Sequence, residues 1–195
     1  MNLTKILTVV FFAISLALAA YLVRSVYNDI QWEKTVRIAE DKVIQKLEMI
    51  RAAQLAYQAG NGKYTSDWDK LIDYVENGTI YITNRKEIII PLEYGEDSVI
   101  VQIDTLGSVN VKDSLFKSTE YPGFDAKQLA YVPDSDKKFQ LWADEINKSG
   151  VMVDVVEAVD PDPIDKTRKE DSDFKNRRPL RFGSRTEVTT AGNWE

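Results

Sequence analysis

The chain has 195 residues, of which 44% are hydrophobic and 29% are charged, and its formal net charge is −6. This size and composition are typical of one folded domain with appendages, and the acidic balance argues against a general nucleic-acid binder, which needs a basic face to neutralise phosphates. The chain contains no cysteine and no histidine, which excludes disulfides, thiolate metal sites, a cysteine nucleophile and histidine acid–base chemistry.

The first predicted element is an apolar run over residues 6–23, which follows a short N-terminal tail of residues 1–5. As a helix this run is about 27 Å long, close to the hydrocarbon thickness of a bilayer. Lys5 and Arg24 bracket it. The pattern predicts a transmembrane helix in contact with membrane lipid. The alternative is a secretory signal cleaved after Ala17-Leu18-Ala19, but the run continues past that pattern, which favours the anchor.

A mixed-charge amphipathic segment, residues 24–59, continues the helical period and is interpreted as a stalk helix. Its apolar stripe consists of Val36, Val43, Leu47, Ile50, Ala53 and Tyr57. Such a stripe packs either against partner helices, including a second copy of the stalk, or against the chain's own head, and we favour the head for residues 43–57. The candidate partner contacts on this helix are Val26, Ile30, Val36 and Val43.

The head, residues 60–159, is predicted to be an α+β domain in which the long N-terminal helix packs on one antiparallel sheet of four to six strands. Residues 65–67 offer an N-cap to a short helix over residues 68–75. β-Branched residues with period two then predict strands over Ile80–Thr83, Lys86–Glu93, Ser98–Asp104, Ser108–Lys112, Lys138–Trp142 and Val151–Val156, the last of them central.

Turns and loops are predicted between these strands. Tyr94–Asp97 and Leu106-Gly107 are the turn signals, and residues 114–136 read as a loop with a short helical piece at most. Pro91 assigns its strand to a sheet edge or a bulge, because proline has no N–H to donate to a ladder.

The last segment, residues 160–195, is highly charged at its start and is predicted to be a tail, partly disordered or docked on a partner. Apolar residues return near its end, so Phe182 and Trp194 are candidate partner contacts. Thr186–Thr190 is the stretch that would add a strand to an exposed sheet edge.

No catalytic, cofactor-binding or metal-binding residue is predicted, and we do not expect an enzyme. The carboxylate-rich spots are Asp134-Ser135-Asp136, Asp160-Pro161-Asp162 and Asp165, and none has the spacing of a calcium-binding EF-hand loop. Nucleotide-binding and hydrolase motifs are not found in the sequence either.

Residues 54–64, QLAYQAGNGKY, together with residues 68–72, WDKLI, resemble type IV pilins and type II secretion pseudopilins. That family has an apolar helix that continues into an amphipathic half, an N-G-x-Y turn, a short helix and an antiparallel sheet. The order of elements matches over residues 6 to about 112. The prepilin peptidase site, a glycine before an aromatic residue with a glutamate five residues on, is missing: Lys5 precedes Ile6, and no acid lies in the apolar run.

The resemblance implies a pilin-like head in the periplasm on a retained single-pass anchor in a bacterial inner membrane, since charge counting leaves the orientation open. The expected function is structural: presentation of this domain to other membrane-protein subunits of a pilus-like or secretion-system-like assembly. One alternative is an assembly-platform component that acts through a coiled-coil dimer of the stalk. A second alternative is a secreted binding protein or enzyme with a cleaved signal.

Overall fold

A computed structural model describes the backbone of residues 3–91 and 97–195 and the side chains of residues 6–89 and 99–195. The chain is α+β, with a long apolar N-terminal helix and small antiparallel sheets. It divides into two compact units, Met1–Lys42 and Val43–Glu195, and helix α1 (Leu3–Asn61) contributes to both.

The first unit consists of the N-terminal part of α1. Among the described residues, α1 is the one helix that is long and apolar enough to cross a membrane by its length and composition. The side chains of residues 6–23 are all exposed in the structure. These properties are compatible with a membrane anchor. A signal segment near an N-terminus has the same properties.

The second unit begins with the C-terminal part of α1 and a tight turn. Gly62, with φ +80°, donates its N–H to the Gln58 carbonyl at 2.8 Å and so stops the helix. Helix α2 (Trp68–Asn77) follows, and the Asp67 carboxylate accepts the Asp69 N–H at 2.9 Å as its N-cap. The predicted short helix is confirmed and extends two residues beyond its predicted end.

Two long strands, β1 (Thr79–Pro91) and β2 (Asp97–Asn110), form a two-stranded antiparallel sheet. The sequence predicted four short strands here, and the predicted turn at Leu106-Gly107 is wrong. The register passes from Ile82 opposite Gly107 to Thr83 opposite Thr105. Leu106 is therefore the extra residue of a β-bulge, which lets the strand continue.

Pro91 pairs with Asp97 in a sheet that has only edge strands, so its predicted edge position is confirmed. The end of the strand predicted at Glu93, and residues 94–96 of the predicted turn, lie outside the described residues.

A second sheet has the order β3-β4-β5, with β3 (Gln140–Lys148), β4 (Val151–Val159) and β5 (Arg181–Gly183) all antiparallel. The predicted central position of the 151–156 strand is confirmed. The prediction of a single sheet is wrong because, within the described residues, β1 and β2 pair only with each other. Helix α3 (Val111–Leu115) and a 3-10 helix at Ala126–Ala130 lie between the two sheets in sequence, where a loop with a short helical piece was expected.

One hydrophobic core joins α1, α2, α3, β4 and the tail of the second unit. Its α1 members, Val43, Leu47, Ile50 and Ala53, belong to the predicted stripe, so the packing of this stretch into the head is confirmed. The amide of the buried Gln54 donates to the Thr65 carbonyl at 2.7 Å and accepts the Thr65 N–H at 3.2 Å. These two bonds fix the turn after α1 against the helix itself.

The tail is folded onto the head at the residues where apolar side chains return. Leu180 and Phe182 are buried, and β5 extends the sheet by pairing with the end of β4. Thr186–Thr190 was the predicted added strand, and this position is wrong. The strand lies at residues 181–183, where Phe182 fills the core, whereas Val188 is exposed.

Candidate partner-contact surfaces

The predicted contact residues on α1 fall into two groups. Val26 and Ile30 are 57% and 46% exposed, and Val36 is half-buried. Val43 is only 6% exposed and belongs to the core of the head. A coiled coil through Val43 would therefore require the core to open, and its role as a partner contact stays a prediction.

The predicted contact residues in the tail also face inward. Phe182 has no exposed surface, and Trp194 packs against the same core. Phe182 and Trp194 are used by the chain's own fold, and their role as partner contacts stays a prediction. The predicted alternatives were a partly disordered tail and a tail docked on a partner, whereas β5 of the tail pairs with β4 of its own chain.

Charged side chains hold the tail in place around Glu157 of β4. Its carboxylate accepts from the Arg185 guanidinium at 2.7 Å and lies 3.6 Å from Arg181. Arg181 also forms an ion pair with Glu170, and this hydrogen bond lowers the pKa of the Glu170 carboxyl. Because Glu157 and Arg181 are nearly buried, each needs the other's charge nearby. We call these four residues the tail clamp.

A second set of contacts holds the end of the tail against α1. The Arg51 guanidinium forms an ion pair with Glu195 at 2.6 Å and donates to the Thr190 carbonyl at 3.2 Å. The hydrogen bond from Arg51 lowers the pKa of the Glu195 carboxyl. The Asn193 amide donates to the Lys175 and Pro179 carbonyls, both at 3.0 Å.

A cleft of about 320 Å³ lies between these turns of the tail. It is lined by cations, but each of them already has a partner in the chain. Arg178 donates to the Ser172 carbonyl at 2.8 Å, and Lys175 lies 3.5 Å from Glu187. The arrangement therefore explains how the tail is held and does not require a ligand.

Two of the carboxylate-rich spots of the sequence are also used within the chain. Asp162 forms ion pairs with Lys166 at 2.8 Å and Lys137 at 3.0 Å, and these contacts lower the pKa of its carboxyl. Asp165 accepts the Thr167 N–H at 2.9 Å. In residues 3–91 and 97–195, no three carboxylates come together in a group that could hold a metal ion.

An extended exposed apolar surface of the head lies on strands β1 and β2, which we call the ribbon. The residues of a pair directly opposite each other share a face. Ile88 lies opposite Ile100 on one face, and Ile89 lies opposite Val99 on the other, so both faces carry apolar side chains. The exposed large apolar residues are Tyr81, Ile82, Ile88, Ile89, Val99, Ile100, Val101, Ile103, Leu106 and Val109.

The two edges of the ribbon differ in charge. Strand β1 carries Arg85, Lys86 and Glu87 in succession, with an ion pair of 2.9 Å between Arg85 and Glu87. Strand β2 has no charged residue over residues 99–103, a stretch whose side chains are all exposed. Edge strands that are not meant to pair are normally protected by charges, proline or bulges. Over residues 99–103, β2 has none of these devices.

Sequence reasoning missed the ribbon because it placed all strands in one sheet. The available signal was the lack of alternation: Ile88 and Ile89, like Val99, Ile100 and Val101, are consecutive apolar residues. A strand with one buried face alternates, whereas a consecutive run indicates burial on both faces or none.

Comparison of the chain with protein-family models, with curated proteins and with solved structures gives no match.

Proposed function

We propose that this protein is a single-pass membrane-anchored structural protein of a bacterial envelope assembly, which presents a pilin-like head to protein partners. One observation carries the proposal: every side chain of the apolar run 6–23 is exposed, so nothing in the described chain covers it. A bilayer is the environment in which such a helix is stable, because its backbone polar groups are satisfied internally and its side chains are apolar.

The pilin-like assignment is supported by the order and packing of the elements in the second unit. A helix ends in the N-G-K-Y turn, a short helix follows, and antiparallel strands come next. The C-terminal part of α1 supplies Leu47 and Ile50 to the core shared with β4. The division of the strands into two sheets is a departure from the family pattern, in addition to the missing peptidase site.

The proposed location is the inner membrane, with the head in the periplasm. This choice follows from the family resemblance. The proposal assigns no catalytic chemistry to the head, because Lys175, Arg178 and Arg181, the cations that line the cleft of the tail, each have a partner within the chain. The proposed partners are other membrane-protein subunits.

Fractionation of bacteria that express the full chain tests the anchor. We expect the protein to stay in the membrane pellet after an alkaline carbonate wash. Phe12→Arg places a guanidinium inside the run and should cost about 3 kcal/mol of insertion free energy. Ile38→Arg, at an exposed position of the same helix beyond the run, is the matched control and should leave the protein in the membrane. N-terminal sequencing that starts near Ala20 would contradict a retained anchor.

Sidedness and partners are tested on the same membranes. The chain has no native cysteine, so Lys127→Cys, at an exposed position of the head, gives a single label site. A membrane-impermeant maleimide should react in intact cells; reaction only after lysis would contradict a periplasmic head. Affinity purification from detergent-solubilised membranes should recover other membrane subunits. Recovery of this chain alone would contradict a role in an assembly.

A further inference from the structure

The edge of β2 over residues 99–103 is an unpaired strand edge on the surface of the head. Its five side chains are exposed and uncharged. Within the described residues, neither strand of the ribbon pairs with a third strand. An isolated two-stranded sheet is only marginally stable in water, and more strands are needed for independent stability. The ribbon is therefore an incomplete sheet with one unprotected edge.

We propose that a second copy of this chain pairs with this edge, antiparallel and about a two-fold axis at Val101, to form a four-stranded sheet β1-β2-β2-β1 across two protomers. This inference rests on the proposed function in one respect, because it uses the shared membrane to bring the copies together. It deepens that function by naming one of the partners of the head.

The register follows from symmetry and charge. A two-fold axis normal to the sheet keeps the same face of both copies on the same side. It must therefore lie midway between the two copies of one residue, which are directly opposite each other. With the axis at Val101, Val99 lies opposite the second copy's Ile103 and Ile100 lies opposite its Gln102. The uncharged run then pairs entirely with itself. An axis at Gln102 would instead bring the Asp104 carboxylate opposite Ile100, where it would be partly desolvated.

The other edge of the ribbon does not allow the same pairing. An axis at Lys86 or Glu87 of β1 would place two like charges directly opposite each other, which is destabilising. An axis at Ile88 would bring Arg85 opposite Pro91, which has no N–H for the ladder. Among these axes, the one at Val101 of β2 is the one that leaves neither a charge nor a proline within the five paired residues.

The small surface area that the two copies bury determines the conditions under which the dimer forms. Pairing of five residues covers about 17 Å of strand, which buries much less than the roughly 800 Å² per partner of a standard stable interface. Such a contact is weak in dilute solution. Two copies held in one membrane meet at a high effective concentration, which favours a weak pairing without any new contact. The dimer is thus expected in membranes and lost on dilution in detergent.

Cysteine cross-linking of the full chain in native membranes tests the register. Across the axis, the two Cβ atoms at position 101 are about 5 Å apart, so Val101→Cys should give a covalent dimer on mild oxidation. Ile89→Cys is the matched control: it is exposed on the same face but on β1, roughly 20 Å from its counterpart. Val99→Cys alone, roughly 14 Å apart, should cross-link poorly, whereas co-expressed Val99→Cys and Ile103→Cys chains should cross-link well.

A charge variant tests whether the pairing is specific. Val101 lies opposite Glu87 of its own β1, so Val101→Lys creates a favourable cross-strand pair within the ribbon. Across the proposed axis it places two ammonium groups against each other. A fluorescent tag on the chain should report energy transfer between wild-type copies in membranes, and V101K should reduce the paired fraction by more than about tenfold.

The outcomes separate this inference from the proposed function. If the protein is in the membrane but V101C and I89C cross-link equally, or neither does, the second copy is overturned and the anchor stands. If V101C links to a chain of another mass, the edge belongs to a different partner and the inference is equally overturned. If the protein is not in the membrane, the proposed function fails, and cross-linking of V101C at high concentration still decides the pairing.

Discussion

The two sheets of the head are built in opposite ways. The sheet β3-β4-β5 has a central strand whose residues 155–159 are all buried, and its third strand is supplied by the chain's own tail. The ribbon has longer strands, of 13 and 14 residues, yet the side chains of residues 81–89 and 99–106 are all exposed. Strand length and apolar content therefore do not decide burial here.

The difference shows what completes a sheet in this molecule. The β4 edge is covered by β5 because the tail clamp and the buried Phe182 hold the tail against it. The ribbon has no comparable covering segment in the described chain. Strand β4 is therefore paired on both sides within the chain, whereas β2 is paired on one side only within the described residues.

The largest expected effect on the free energy of unfolding comes from the sheet β3-β4-β5. Phe182→Ala removes a side chain with no exposed surface, which should lower the free energy of unfolding by about 3–5 kcal/mol. Phe174→Ala, at a position 64% exposed in the same tail, is the control and should change it by less than about 0.5 kcal/mol. Denaturant titration of the full chain in detergent measures both. Equal effects would contradict the docked tail.

Two glycines give the next comparison. Gly183 has φ +77°, and a Cβ there would lie 1.9 Å from the Val156 carbonyl oxygen of β4. Gly183→Ala should therefore cost about 2–4 kcal/mol through strain and a forced shift of β5. Gly107 of the ribbon has open space around it, so Gly107→Ala should change the free energy of unfolding by less than about 1 kcal/mol. The same titration checks the pair, and a costly G107A would mean that the ribbon is covered.

The ribbon itself should tolerate a charge when the protein is monomeric. In dilute detergent, Val101→Lys should change the free energy of unfolding by no more than about 0.5 kcal/mol, because the lysine lies at an exposed position opposite Glu87. Thermal unfolding followed by circular dichroism measures the effect. A loss of several degrees under these conditions would indicate that Val101 is buried within a single chain.

The smallest effect concerns the end of the tail and pH. Contact with Arg51 holds the pKa of the Glu195 carboxyl below its ordinary value of 4.5. A carboxyl with a lowered pKa stabilises the fold above the unfolded-state pKa, and this contribution is lost as pH falls through the lowered pKa. Because the pair is partly exposed, the contribution is no more than about 0.5 kcal/mol.

Glu195→Gln tests this contribution by comparison with the wild type. The difference in free energy of unfolding between the two chains should be constant from pH 7 to about 4.5 and should shrink at lower pH. A difference that grows below pH 4.5 would contradict the ion pair with Arg51.

The local parts of this structure could be predicted from the sequence because their signals are local. The α2 helix has its N-cap at Asp67, the stripe from Val43 to Ala53 has helical spacing, and residues 151–156 form a continuous apolar run. Each feature depends on residues that are close to one another in the sequence.

The long-range parts could not be predicted in this way. Phe182 and Trp194 are candidate partner contacts in the sequence because nothing local shows that β4 offers an edge for the tail. The split into two sheets depends on which strands pair. A Leu-Gly pair is compatible with a turn and with a β-bulge, and the structure has a bulge at Leu106. Pairing across tens of residues is decided by packing of the whole unit, not by propensity.

Amide hydrogen exchange of the full chain in membranes most directly tests whether a second copy pairs with the β2 edge of the ribbon. Residues 155–159 of β4 should be protected in both the wild type and V101K, because their partners lie within the chain. Residues 99–103 should be protected in the wild type and should exchange faster in V101K, because a second copy covers the β2 edge. Equal exchange of residues 99–103 in the two proteins would contradict pairing through this edge.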